Sequence, residues 1–233
     1  MQKPTESVHS IAEKVQAYLE FLSGLGVKGF DCSAQTLETL ESWGQNPLKT
    51  SGGLADIAEE LKQCRKCSLG ESGCQAIMGA GKPGARVMFI GGWPEAGEKT
   101  SGKPYSGAAG ELLARIVQAM ALTPEEVYIT HVLKCRPSEN TPPQARDVRI
   151  CCGFVQREID IVGPAVICAL GGTAAKALLG LSAPWTEIRG RFHDYRSIPV
   201  MPTFSPEYLL VNPSAKRQTW ADIKQMLQKI KEG

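Results

Sequence analysis

The chain has 233 residues, 42% hydrophobic and 21% charged, and its 26 basic against 24 acidic side chains leave a net charge of only +2. This composition excludes general disorder, and it leaves any nucleic-acid binding to local clusters of charge. No apolar run approaches the roughly 18 residues of a membrane span and no signal-peptide core is seen, so a cytoplasmic protein with no membrane partner is expected.

Residues 1–50 read as an N-terminal helical extension and linker, ahead of a main domain at 51–233. Val8, Ile11, Val15, Tyr18, Leu19 and Leu22 recur at helical spacing, a second short helix is expected at 34–43, and 44–53 has the Gly, Asn, Pro and Ser of a linker. From residue 54 onward helix and strand patterns alternate. Short apolar runs at 87–90, 127–133, 165–170 and 198–203 read as strands. Helical patterns occupy 54–63, 108–121, 144–162, 172–179 and 214–231. Continuous apolar strands separated by helices imply an α/β fold, with a parallel sheet covered on both faces. Ligands of such sheets bind at the carboxyl ends of the strands, so the loops opening at Gly91, His131, Gly171 and Phe204 are the ones to inspect.

The eight cysteines stand at 32, 64, 67, 74, 135, 151, 152 and 168. In a reducing compartment close Cys pairs more often bind metal than form disulfides. Cys168 lies inside an apolar run and reads as a buried hydrophobe; Cys32 sits in a turn with no evident partner. Cys64 and Cys67 form a C-x2-C at a helix end, and Cys151 lies sixteen residues beyond Cys135. Four thiolates in this arrangement suit either zinc or an iron–sulfur cluster. Cys74 and Cys152 are rival ligands, and Cys151 and Cys152 also fit a plain core role on the apolar face of their helix.

Three further features join these cysteines: the Gly102-Lys103-Pro104-Tyr105-Ser106-Gly107-Ala108-Ala109-Gly110 box, the run from Val127 to Pro137 ending in Lys134-Cys135-Arg136-Pro137, and Ala169-Leu170-Gly171. Together they resemble the iron–sulfur (family 4) uracil-DNA glycosylases over about residues 54–230. The resemblance implies a three-layer α/β/α sandwich around a four-stranded parallel sheet. It implies a [4Fe–4S] cluster on Cys64, Cys67, Cys135 and Cys151, and DNA as the partner of a monomeric protein. It also places Gly91, Gly92, Trp93 and Pro94 in the first active-site loop, Tyr105 as the ring that stacks on an extruded uracil, and His131 where an asparagine reads the base edge.

The active-site motifs depart from that family. Its acidic second position in the first loop is Gly92, its small third position is Trp93 and its final glycine is Glu95, while a nearby acidic position is kept as Glu98. The histidine that opens its last motif is Ser205, and the arginine that closes that motif is Val211. Hydrolysis of an N-glycosidic bond needs an extruded base, a water-activating group and charge stabilisation for the departing base. Glu98 or Glu95 is expected to handle the water, with His131 and Ser205 donating to the base. Lys134 and Arg136 are expected at phosphates, with Arg189, Arg191, Lys216 and Arg217 as further cations; Tyr208, Leu209 and Leu210 are expected to wedge into a base step. Two readings follow: a DNA-repair glycosylase for uracil or another deaminated or damaged base, or a weak or inactive glycosylase-fold protein that binds nucleic acid or a base. The replaced motif residues are what weaken the first.

Overall fold

The computed structural model describes residues 53–137 and 143–232. The helical arm and linker expected at 1–50 lie outside the described residues, as does Cys32. The sheet is built from β1 (Val87–Gly91), β2 (Val127–His131), β3 (Val166–Leu170), β4 (His193–Tyr195) and β5 (Ile198–Thr203), in the order β2-β1-β3-β5-β4. Strands β1, β2, β3 and β5 run parallel, as expected. The expected four-stranded sheet is corrected to five strands, because β4 pairs antiparallel with β5 at the edge. Its three residues are only partly buried and alternate no apolar side chains, so the sequence carries no strand signal there. The second expected strand stops early, at His131. Beyond it the backbone still runs along the loop after β1, with Val132 N–H donating to Gly91 O and Leu133 N–H to Gly92 O.

Alternation along β1 and β3 sorts their side chains onto two faces. Met88, Ile90, Ile167 and Ala169 meet Val155 and Ile159 of helix α5 (Ala145–Val162) and Ala174 and Leu178 of α6 (Gly172–Leu179). Val87, Phe89, Val166 and Cys168 meet Leu113 of α4 (Gly107–Ala119) and Ile223 and Met226 of α9 (Lys216–Glu232). The result is the three-layer α/β/α arrangement. Cys168 is fully buried on the second face, and Cys152 packs on the first, its thiol directed at Ala177 O at 3.8 Å. Helices α1 (Leu54–Lys62) and α2 (Ser68–Glu71) bring the C-x2-C beside α5, where Ile57 and Leu61 pack with Leu133, Cys151 and Phe154.

The strand order reverses at β1: the chain leaves it for β2 on one side and reaches β3 on the other. That is the switch point at which open α/β sheets bind ligands, beyond the carboxyl ends of the strands.

Candidate functional site

A cavity of about 240 Å³ opens at this switch point. Gly92, Trp93 and Glu95 come from the loop after β1, Leu170, Gly171, Gly172 and Thr173 from the turn after β3, and Ser205 and Glu207 from the turn after β5. Tyr105 completes it. The elements that supply these groups are the short helices α3 (Ala96–Ser101) and α8 (Pro206–Val211), whose caps are themselves cavity residues. Glu95 caps α3 in a reciprocal box with Glu98, and the Ser205 hydroxyl accepts from Tyr208 N–H at 3.4 Å at the head of α8.

Tyr105 is buried with a left-handed backbone (φ 55°). Its carbonyl lies where a Cβ at residue 110 would run into it, which explains the glycine closing the box at that position. His131 stacks on the Tyr105 ring, with centroids 4.7 Å apart. Its Nε2 is 2.8 Å from Glu98 Oε2, and both side chains are only 1% exposed; Nδ1 has no hydrogen-bond partner among the described residues. Gly91 is the floor beneath both rings: a Cβ there would overlap the Tyr105 hydroxyl and fall 2.5 Å from His131 Nδ1. Burial, with the charges of Glu207, Glu98 and Glu95 nearby, holds the Tyr105 phenol well above its ordinary pKa. His131 and Glu98 therefore form a closed pair behind Tyr105 and are not cavity-lining groups, unlike the sequence expectation. The carboxylates that do line the cavity are Glu95 and Glu207.

The expected DNA-contacting residues divide. Arg136 pairs with Glu95 at 2.7 Å, at the rim. Tyr208, Leu210 and Val211 are exposed on α8. Leu209 is corrected: it is buried against Leu112 and Ala215 and cannot enter a base step. Lys134 is corrected too. It is 1% exposed, and its Nζ donates to Glu158 Oε2 at 2.6 Å and to Thr130 Oγ1 at 2.5 Å. Tyr128 Oη (3.2 Å) and Gly79 N–H (3.3 Å) donate to the other oxygen of Glu158, so this lysine is an internal strut unable to reach a phosphate. Trp93 faces the cavity and also packs against the Leu133, Cys151 and Phe154 cluster.

Of the cysteines, Cys67 caps α2, Cys135 follows β2 and Cys151 lies in the second turn of α5, accepting from Lys134 N–H at 3.2 Å. Burial pushes the Cys151 thiol up to about 11, with Cys67 and Cys64 adding to the effect. The Cys135 thiol is raised by its hydrogen bond to Cys74, then by burial and by Cys151 and Cys67. Five thiols thus share one neighbourhood, with Cys152 turned away from it. Among the described residues no group of three or more His, Cys, Asp or Glu side chains is arranged to hold a single metal ion. Sequence reading missed Thr173 as a cavity residue, because a lone threonine at a helix start carries no distinguishing signal.

Residues 78–227 match the uracil DNA glycosylase superfamily. The chain is 33% identical over 182 residues to a type-4 uracil-DNA glycosylase of Sulfurisphaera tokodaii, covering 74% of this chain and 83% of that protein. It is 31% identical over 181 residues to the type-4 enzyme of Archaeoglobus fulgidus (74% and 91%) and 36% identical over 160 residues to that of Thermotoga maritima (68% and 83%). The family match over residues 78–227 and these identities show that the chain belongs to the uracil-DNA glycosylase superfamily.

Proposed function

We propose that the protein is a DNA-repair glycosylase that takes one extruded base into the switch-point cavity and hydrolyses its N-glycosidic bond, with uracil removed slowly. The observation that carries this reading is the cavity itself, walled by Tyr105, whose ring sits against the side-chain-free backbone of Gly91. Glu95 is the carboxylate available to take a proton from the attacking water; α3 and Arg136 hold it in place. As water adds to the sugar carbon, the bond electrons leave with the base. The Thr173 and Ser205 hydroxyls line the cavity and offer that base only neutral hydrogen bonds. Losing one such electrostatic contact typically slows a reaction on the order of 10² to 10³.

The thiol set supports a [4Fe–4S] cluster on Cys64, Cys67, Cys135 and Cys151, since thiolates are its ligands and their burial is offset by a cationic centre. Bound there, a cluster would supply a structural clip between the α1–α2 hairpin and α5, and the hydrolysis itself needs no electron transfer. Cys74 stands as an outer neighbour. The proposed enzyme acts on DNA as a cytoplasmic monomer; among the described residues no helix is long and apolar enough to cross a membrane.

Single-turnover excision across oligonucleotides bearing different deaminated bases tests this. Measurable release of at least one base is expected, with Glu95→Gln abolishing it. Release of none, with the oligonucleotides still bound, would favour the second reading, a non-cutting base-binding protein.

A further inference from the structure

A second cleft, of about 290 Å³, adjoins the first and shares Gly171, Gly172 and Ser205 with it. Its other walls are aromatic: Trp185, Phe204 and Tyr208. The Tyr208 and Phe204 rings stack with centroids 4.8 Å apart and 12° between planes, and Trp185 meets Phe204 edge-on at 6.1 Å. The Arg189 guanidinium lies 4.8 Å over Phe204, fixed there by a 2.7 Å ion pair with Asp222. These rings are not simply the outer layer of the core, since Tyr208 is 44% exposed and the cleft is open.

We infer that this cleft is a second nucleobase site, which holds the unpaired base next to the one in the first cavity and so makes single-stranded DNA the favoured substrate form. Walls that are mostly aromatic, Trp185, Phe204 and Tyr208, with Ser205 the one small polar side chain among the lining residues, suit a π-face more than a base edge, the usual way single-stranded nucleic acid is held. The shared wall of Gly171 and Gly172 sets that face directly beside the first cavity, where a base adjacent in the strand would lie. The exposed Arg191, Lys216 and Arg217 supply positive charge on the neighbouring segments. In a duplex the flanking base is stacked and paired, so filling both cavities means opening a second base pair; in a single strand it does not. The inference rests on reading the first cavity as a base pocket.

The test is fluorescence anisotropy with an oligonucleotide carrying one uncleavable 2′-fluorinated deoxyuridine, single-stranded or annealed to its complement, so that binding is read without excision. Trp185→Ala and Tyr208→Ala should each weaken single-strand binding about tenfold to a hundredfold. Duplex binding should change less than about threefold, and Trp185→Phe should retain most of the wild-type affinity. Equal loss on both forms, as for a wedge into duplex DNA, or no loss on the single strand, overturns the inference. Should Trp185→Ala fail to fold, Tyr208→Ala decides alone, because its ring is exposed. Excision of no base, with the Trp185 effect intact, would refute the proposed hydrolysis and leave the second site standing.

Discussion

Replacing Lys134 by Met separates two readings of the same residue. Its position beside Cys135 and Arg136 suggests a phosphate contact, whereas the structure buries it against Glu158 and Thr130. Removing the ammonium leaves Glu158 with its bonds from Tyr128, Thr130 and Gly79 but with no counter-charge. Breaking one partner of a buried pair costs about 3–5 kcal/mol, out of the 5–15 kcal/mol typical of a whole domain. For a domain of this size that is a fall in Tm of roughly 6–20 °C. Guanidinium unfolding at neutral pH, followed by circular dichroism, measures it. The double variant Lys134→Met, Glu158→Gln should recover at least half the loss, because the amide keeps hydrogen-bonding capacity and removes the stranded charge. A phosphate-contacting lysine would behave otherwise: stability would hold, and the log–log salt slope of DNA binding would flatten by about 0.9. A single variant within about 1 kcal/mol of wild type, or a double variant no better than the single, would refute the buried-strut account.

Anaerobically purified protein should carry close to four iron and four sulfide per chain, the content of a [4Fe–4S] centre. Cys135→Ala should lose the iron and Cys74→Ser should retain it, read by metal analysis and visible absorbance. Gly91→Ala should destabilise by about 1–3 kcal/mol, since the new methyl must displace Tyr105 or His131, and should abolish base binding. Burial holds the Tyr105 and Tyr128 phenols above their ordinary pKa, so the stability tied to their neutral forms is complete below about pH 10 and is lost as pH rises beyond it. Absorbance at 295 nm should show these two ionising only together with alkaline unfolding.

The strands and long helices were legible because burial forces a pattern. β1 and β3 are apolar throughout, and α5 and α9 carry their core residues at helical spacing. The edge strand β4 and the short helices α3 and α8 were not, because their bounds come from caps and loop contacts, not from periodicity. The location of the site was legible from strand ends, and its cysteines from spacing. What the sequence hid was direction. Lys134 and Leu209 sit in polar-looking or loop-like contexts yet turn inward, and Glu98 is withdrawn from the cavity by its bond to His131, a residue 33 positions away. Only tertiary contact distinguishes such a carboxylate from its neighbour Glu95, which stays on the rim.

Four of the residues that depart from the glycosylase motifs have structural partners in this fold. Ser205 caps α8, His131 is closed against Glu98 and Tyr105, Trp93 packs on the cluster around Cys151, and Glu95 caps α3 while pairing with Arg136. Such contacts hold the cavity walls in one geometry before any base arrives. They act equally on a bound base and on the transition state derived from it, and uniform binding of this kind favours affinity without raising the rate of the chemical step. The charge that would grow on a departing base meets hydroxyls and the two carboxylates Glu95 and Glu207, with the nearby guanidinium of Arg136 already engaged. On the proposed reading such a site would retain a base well and release it from its sugar slowly, so binding and single-turnover cleavage are to be measured apart.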